Sequence, residues 1–253
     1  MWAWALLFIL PFARLSGLFV TAPLVSDKAI PIQIKVLLIA SLAILVAMSR
    51  PLSHPTAQDS LSIGLLIAGE ALLGLFLGFA IKMLWLPFET SMDMLGSQMG
   101  FGFAQFYDPI HGEMTNPMTR VGYLLGLVIF IGLGGLEASL VALIKSMNVI
   151  ELGAHWNIRQ TSMQLVLLTT QSLAYTLLLF FPALCAVLAS NVVLGIISRA
   201  APQLNLFSVG FQVFLLSGFG MLFLGSDLLR TLMPRLYEAA FEALDLALAR
   251  AVI

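Results

Sequence analysis

The run QTSMQLVLLTTQSLAYTLLLFFPALCAVLASNVVLGIIS, residues 160–198, decides the class of this chain. It holds 39 residues without a single Asp, Glu, Lys or Arg. As one straight helix it would extend roughly 58 Å, about twice the hydrocarbon thickness of a bilayer. It therefore reads as two helices, or as one helix bent near Pro182, whose ring and missing N–H interrupt the helical ladder.

The rest of the chain has the same character. Of 253 residues, 60% are hydrophobic and only 10% charged, where soluble domains carry roughly a quarter charged. Mean hydropathy is +1.01. Twelve basic and 13 acidic residues leave a net charge of -1, which excludes nucleic acid as the main partner. Cys185 is the one cysteine, so there is no disulfide framework or thiolate metal site, and His54, His111 and His155 are too scattered for a zinc motif. With no Gly-x-Ser-x-Gly, no Walker lysine loop and no metal-ligand cluster, neither an enzyme nor a cofactor is expected. Residues 1–10 are apolar with no basic region before them, which reads as a retained helix rather than a cleaved signal peptide.

Apolar runs and breakers predict an all-α, polytopic-looking integral membrane protein of long, bent helices. The first run covers residues 2–22, and Pro23, Asp27, Lys28 and Pro31 mark a turn. The second covers 32–48, followed by a polar loop over 49–60. The third starts at Leu61 and continues to Met99. The fourth covers 121–147, broken at Gly132, Gly134 and Gly135. The last covers 206–224. The tail, 227–253, is amphipathic: Leu236, Ala240, Ala243 and Leu244 share one helical face, with Glu238, Glu242 and Asp245 elsewhere. No boundary sets off a soluble domain, so 1–253 reads as a single helical domain.

Three features stand out. Gly74/Gly78, Gly96/Gly100 and Gly122/Gly126 repeat at four-residue spacing, which suits close helix packing within the chain or against other subunits. Lys82, Glu89 and Asp93 fall within about 40° of one helical face, with Glu70 about 120° from Lys82. Charges in apolar segments pair or line wet cavities. This stripe reads as a proton relay or as a face that leaves lipid for protein or water; Glu70 reads as paired or partner-facing. The third feature is the stretch Gly100-Phe101-Gly102-Phe103-Ala104-Gln105-Phe106-Tyr107-Asp108-Pro109, part of a polar loop over 105–119. Irregular backbone at membrane depth survives only when buried in protein or lining a cavity. The stretch is either a tight loop in the chain's own core or an aromatic constriction across a pore, with Met92, Met94 and Met99 as adaptable packing beside it.

Phe12-Ala13-Arg14, Thr21-Ala22-Pro23, Gly69-Glu70, Gln98-Met99-Gly100-Phe101-Gly102-Phe103-Ala104 and Asp108-Pro109 form a recognisable set. So do Arg199-Ala200-Ala201-Pro202-Gln203-Leu204-Asn205 and Phe207-Ser208-Val209-Gly210-Phe211. Together they resemble the R-type subunit of the bacterial flagellar type III export gate (the FliR family), with the T-type subunit of injectisomes as near relative. The resemblance covers about 12–224. One departure is Gln212, where the family often has proline, and the tail after Asp227 matches no motif.

This resemblance implies a helical multi-subunit pore with P-type and Q-type subunits (the FliP and FliQ families), raised largely out of the membrane plane. It also implies the large export-gate and switch-type proteins as partners, membrane lipid around the assembly, and unfolded flagellar subunits as cargo. The location implied is the bacterial inner membrane, in the flagellar basal body. Within that frame Gly100, Phe101, Gly102, Phe103, Phe106, Tyr107, Asp108 and Pro109 are expected to plug the pore, the glycines letting the loop swing. Pro202, Gln203, Leu204 and Asn205 are expected to form a helix-turn-helix corner. The reading from a different class is a small-solute secondary transporter, which should show paired broken segments in two halves. No such symmetry is visible.

Overall fold

The computed structural model describes residues 2–23, 30–49, 60–104, 106–108, 113–154, 156–201 and 206–251. Among these lie eight α-helices: α1 (Trp2–Thr21), α2 (Ile32–Ser49), α3 (Ser60–Gln98), α4 (Pro117–Gly132), α5 (Gly135–Val149), α6 (Ile158–Ala200), α7 (Leu206–Leu224) and α8 (Ser226–Ala251). The all-α expectation holds, with one addition: two three-residue strands, β1 (Phe106–Asp108) and β2 (Glu113–Thr115), pair antiparallel. The long uncharged run is a single helix, α6, with Pro182 inside it. The fourth apolar run splits where glycine demanded it, since Gly134 takes φ +74°, a left-handed conformation open to glycine. Among the described residues three helices are long and apolar enough to cross a membrane, α2, α3 and α6, or up to five spans if the pairs α4–α5 and α7–α8 each count as one.

The chain divides into two compact units, and α3, α6 and α8 each run from one into the other. The first comprises 1–83, 134–169 and 239–253. Its centre is the crossing of α1 and α3, where glycine removes side chains from both surfaces. A methyl group on Gly74 would overlap the Arg14 carbonyl oxygen, and one on Gly17 would overlap the Ala71 carbonyl oxygen. Gly78 likewise sits against Thr21 and the Leu18 carbonyl. Leu10, Leu15, Leu73 and Leu77 are buried around this contact.

The second unit comprises 84–133 and 170–238. Its crossing joins α3 to α4. A Cβ on Gly122 would come 2.7 Å from the Phe88 carbonyl oxygen, and one on Gly96 would meet Asn116 and Met118. A core of Met92, Leu95, Met99, Met118, Phe180, Ala183 and Val187 continues from it. Five of the six paired glycines, Gly74, Gly78, Gly96, Gly122 and Gly126, therefore pack the chain on itself. In the tail Leu236, Ala240 and Leu244 are buried and Glu238 and Glu242 exposed, while Ala243 and Asp245 are both half-exposed.

Beside this crossing Trp85 lies in an aromatic row, its ring centre 5.1 Å from Tyr123 and 5.6 Å from Phe130. The Tyr237 hydroxyl donates to the Phe130 carbonyl at 3.3 Å. The indole N–H of Trp85 is buried and finds no acceptor among the described residues. A buried donor without a partner costs about 1–3 kcal/mol, while the smaller ring gives up some packing. Trp85→Phe should therefore change stability by less than about 1 kcal/mol, whereas Trp85→Ala should cost about 3–5 kcal/mol. Thermal unfolding of the purified protein in detergent checks both, and a Trp85→Phe loss as large as that of Trp85→Ala would show the N–H to be satisfied.

Candidate functional site

The aromatic stretch begins where α3 ends. Gly100 has φ +90°, so the chain turns there through a conformation that suits glycine. Phe101–Ala104 forms one 3-10 turn. The strands follow, with Phe106 opposite Thr115, Tyr107 opposite Met114 and Asp108 opposite Glu113. What the sequence offered as an irregular loop is thus a short hairpin. Gln105 and Pro109 lie outside the described residues.

Both ends of the hairpin are seated. On the entry side the Phe101 ring stands edge-on to Phe211 of α7, 5.8 Å between centres, and the Met99 side chain lies against Gly218. On the exit side Asn116 caps α4, its Oδ1 accepting from the Met118 N–H at 3.0 Å, and Pro117 takes the first helical position. That is the favoured chemistry of a helix start, and it sets the loop's end at residue 116 rather than 119. Thr119 Oγ1 then donates to Asp93 Oδ1 at 2.6 Å, tying α4 to α3. Of the aromatic residues, Phe101 is thus part of the seat.

The embedded charges separate into two kinds. Lys82 and Asp93 are exposed and Glu89 is half-exposed, so the stripe on α3 faces outward. Glu70 is different. It is 4% exposed and meets Arg14, which is fully buried. Arg14 Nε donates to Glu70 Oε2 at 2.6 Å, and Nη2 donates to Oε1 at 3.1 Å. The remaining guanidinium donors go to the Ser146 carbonyl at 3.0 Å and the Ile150 carbonyl at 3.2 Å. The Ser146 carbonyl belongs to the last turn of α5 and Ile150 is the residue that caps it, at the helix end whose partial negative charge favours a cation. The Gly153 N–H donates to Glu70 Oε1 at 2.8 Å. All five guanidinium N–H groups are used, and no charge is left unmatched.

Sequence reasoning offered pairing as one reading for Glu70 but did not find its partner. The signal was present: Arg14 is the one charge in α1 and Glu70 the first in α3, and opposite charges in apolar helices are expected to meet. Arg14 and Glu70 even stood in two of the quoted motifs. The corner residues Pro202, Gln203, Leu204 and Asn205 lie outside the described residues.

Comparison with known proteins sets this geometry in a family. A family model described as bacterial export proteins, family 1, matches residues 5–240. This chain belongs to that family. The export protein is 28% identical over 241 residues to the flagellar biosynthetic protein FliR of Pectobacterium carotovorum subsp. carotovorum, covering 95% of this chain and 92% of that one. It is 26% identical over 244 residues to FliR of Escherichia coli strain K12, covering 96% and 92%. It is also 26% identical over 206 residues to the surface presentation of antigens protein SpaR of Shigella sonnei, covering 80% and 78%. The export protein is a membrane-embedded component of a flagellar type III export apparatus.

Proposed function

We propose that the export protein forms part of a protein-conducting gate in the bacterial inner membrane, assembled with P-type and Q-type subunits, and that the 106–115 hairpin closes that gate at rest. The seating of the hairpin at both ends, on α7 through Phe101 and on α4 through the Asn116 cap, supports this reading. A pore wide enough for an unfolded chain must still hold back ions. An aromatic constriction does so by excluding water, without the sign preference that a ring of charges would impose.

In this reading 1–253 acts as one gate domain, and the chain performs no covalent step. Phe103, Phe106 and Tyr107 form the seal, Phe101 anchors it, and Gly100, Gly102, Asp108 and Pro109 shape the turns. Lys82, Glu89 and Asp93 meet water or a neighbouring subunit, and Pro202, Gln203, Leu204 and Asn205 form a corner inside the assembly. The cargo is unfolded flagellar subunits. A flagellar rather than injectisome setting is favoured because the FliR relatives of Pectobacterium carotovorum and Escherichia coli align over 95% and 96% of this chain, against 80% for SpaR of Shigella sonnei.

The test is conductance. Deleting residues 105–114, or changing Phe103 and Phe106 to alanine, should leave the complex assembled and make the membrane leaky to small ions and dyes. Assembled deletion complexes as tight as the parent would reduce the hairpin to packing within the chain.

A further inference from the structure

The crossing of α3 and α4 in the second unit buries two donors that find no acceptor among the described residues, the Trp85 indole N–H and the Asn116 Nδ2. Such groups are rare in folded proteins, since each has left water and gained nothing in exchange. Both lie where glycine brings the helices together. Trp85 stands beside Gly126, Phe88 and Met92 beside Gly122, and Asn116 and Met118 beside Gly96. The two helices thus run antiparallel. Each orphan lies along the flank of the opposite helix, short of its carbonyl end, at Gln98 in α3 and Gly132 in α4. The clearances at the glycines are unequal. A Cβ on Gly122 would come 2.6 Å from Met92 Cβ and 2.7 Å from the Phe88 carbonyl oxygen. One on Gly126 would meet side-chain atoms first, the nearest at 3.2 Å, and one on Gly100 would meet no described atom of α4 within 4 Å. The packing seen here therefore demands Gly96 and Gly122 and asks less of Gly100 and Gly126, each four residues on.

We propose that α3 and α4 form a one-turn ratchet. Sliding α4 by four residues, about 5.4 Å, toward the end of α3 puts Gly126 where Gly122 lies now, against the Phe88 carbonyl. It also puts Gly100 where Gly96 lies now, against Asn116. Both glycine pairs then serve, one member of each in either register. Asn116 moves from the flank of α3 to its carbonyl end, and Trp85 comes opposite Phe130 in the last turn of α4. Helix ends carry carbonyls with no helical partner, so each orphan gains an acceptor. Phe130 takes the looser place that Gly126 holds now, and the indole yields as it turns to the carbonyl. The shift gives up the Thr119–Asp93 bond at 2.6 Å and the Tyr237–Phe130 bond at 3.3 Å, and it brings Tyr123 opposite Asp93 in place of Thr119. Each register satisfies groups that the other strands, which keeps the two arrangements discrete. The hairpin hangs between the sliding ends, Gly100 and Asn116. That the ratchet works the gate rests on the function proposed above; the ratchet itself does not.

Disulfide trapping in the assembled complex reads the register directly, in a Cys185→Ser background that removes the one native cysteine. Asp93→Cys with Thr119→Cys should close rapidly under mild oxidation, because these side chains already touch. Asp93→Cys with Tyr123→Cys should close as well, several-fold faster than Asp93→Cys with Val121→Cys. Val121 is exposed, and neither register brings it to Asp93. Gly126→Ala separates a shift from mere looseness. Its methyl group needs only side chains to yield in the present register, but it would strike the Phe88 carbonyl in the shifted one. It should leave closure of the Asp93/Thr119 pair unchanged and cut closure of the Asp93/Tyr123 pair several-fold. An Asp93/Tyr123 pair that closes no faster than the Val121 control, or that ignores Gly126→Ala while the Asp93/Thr119 pair still forms, would overturn the ratchet. Locking the Asp93/Thr119 pair should also stop cargo export until a reductant restores it, and export through the locked complex would overturn a role in opening. No conductance enters these measurements, so a result against the hairpin seal leaves them standing.

Discussion

Arg14→Leu should cost about 3–5 kcal/mol, the usual loss when one member of a buried ion pair is removed. The folded, assembled complex should then fail to accumulate. The reason lies in what is left behind: the Glu70 carboxylate would keep a single donor, the Gly153 N–H, in a site 4% exposed. The Ile150 carbonyl would lose its guanidinium donors as well, while the Ser146 carbonyl would keep the Ile150 N–H. Lysine is no substitute, because its ammonium carries three donors on one atom and cannot reproduce the planar fork that meets Glu70 at two points and α5 from the other side. Arg14→Leu combined with Glu70→Leu should recover part of the loss, since the stranded carboxylate is gone while the Ile150 carbonyl still lacks the guanidinium. Thermal unfolding and yield of the complex measure all of these. The idea would be sunk by Arg14→Leu protein that melts like the parent. The exposed pair Lys145 and Asp245, at 2.6 Å, is the control. A pair so accessible contributes at most about 1 kcal/mol, so Lys145→Ala should pass almost unnoticed.

The second large effect belongs to Gly74→Leu. No rotamer helps, because the conflict starts at Cβ and its opponent is the Arg14 backbone oxygen rather than a movable side chain. The helices must separate, which also pulls Arg14 from Glu70. Overpacking alone typically costs about 1–3 kcal/mol; with the ion pair disturbed, the loss should exceed about 3 kcal/mol. Even Gly74→Ala should be clearly destabilising. Gly102→Ala is the contrast, because no atom of the described residues lies within 4 Å of a Cβ built there. Gly17→Ala strikes the same crossing from the α1 side, so the double variant should lose less than the sum of the two. Proteolysis rates in detergent decide it, and a Gly74→Leu chain as resistant as Gly102→Ala would mean that α1 and α3 are not locked at this point.

Much of this was legible in the sequence because helix existence in a membrane protein follows from one-dimensional signals. The uncharged run at 160–198 gave α6, and the glycines at 132–135 marked the break between α4 and α5. Leu236, Ala240 and Leu244 fell on the buried face of α8 as their spacing required. What escaped depends on which helices touch. The spacing of Gly74 and Gly78 announces a close approach without naming the partner. Arg14 and Glu70 are 56 positions apart, and only the crossing of α1 and α3 joins them. The hairpin escaped for a local reason. Six residues in two three-residue strands carry too little alternation to register, and their aromatic side chains drew the reading toward an irregular loop. The start of α4 was available, since Asn116-Pro117 is a recognised helix-opening pair, but the polar residues around it made the loop look longer.

The hydrogen bonds of Arg14 also set an order of events in time. Its farthest acceptor, the Ile150 carbonyl, lies 136 residues later in the chain. Synthesis at about 5–20 residues per second leaves roughly 7–27 seconds between the emergence of the arginine and that of its last acceptor. The arginine's counter-charge comes sooner: Glu70 follows 56 residues after Arg14, and until then the first helix carries a bare cation that lipid tolerates poorly. Between the two events the pair is neutral overall, but the guanidinium N–H groups that face away from Glu70 still lack the carbonyls at the end of the fifth helix. A ribosome stalled between residues 70 and 150 would leave the nascent chain with a matched charge and unmatched donors.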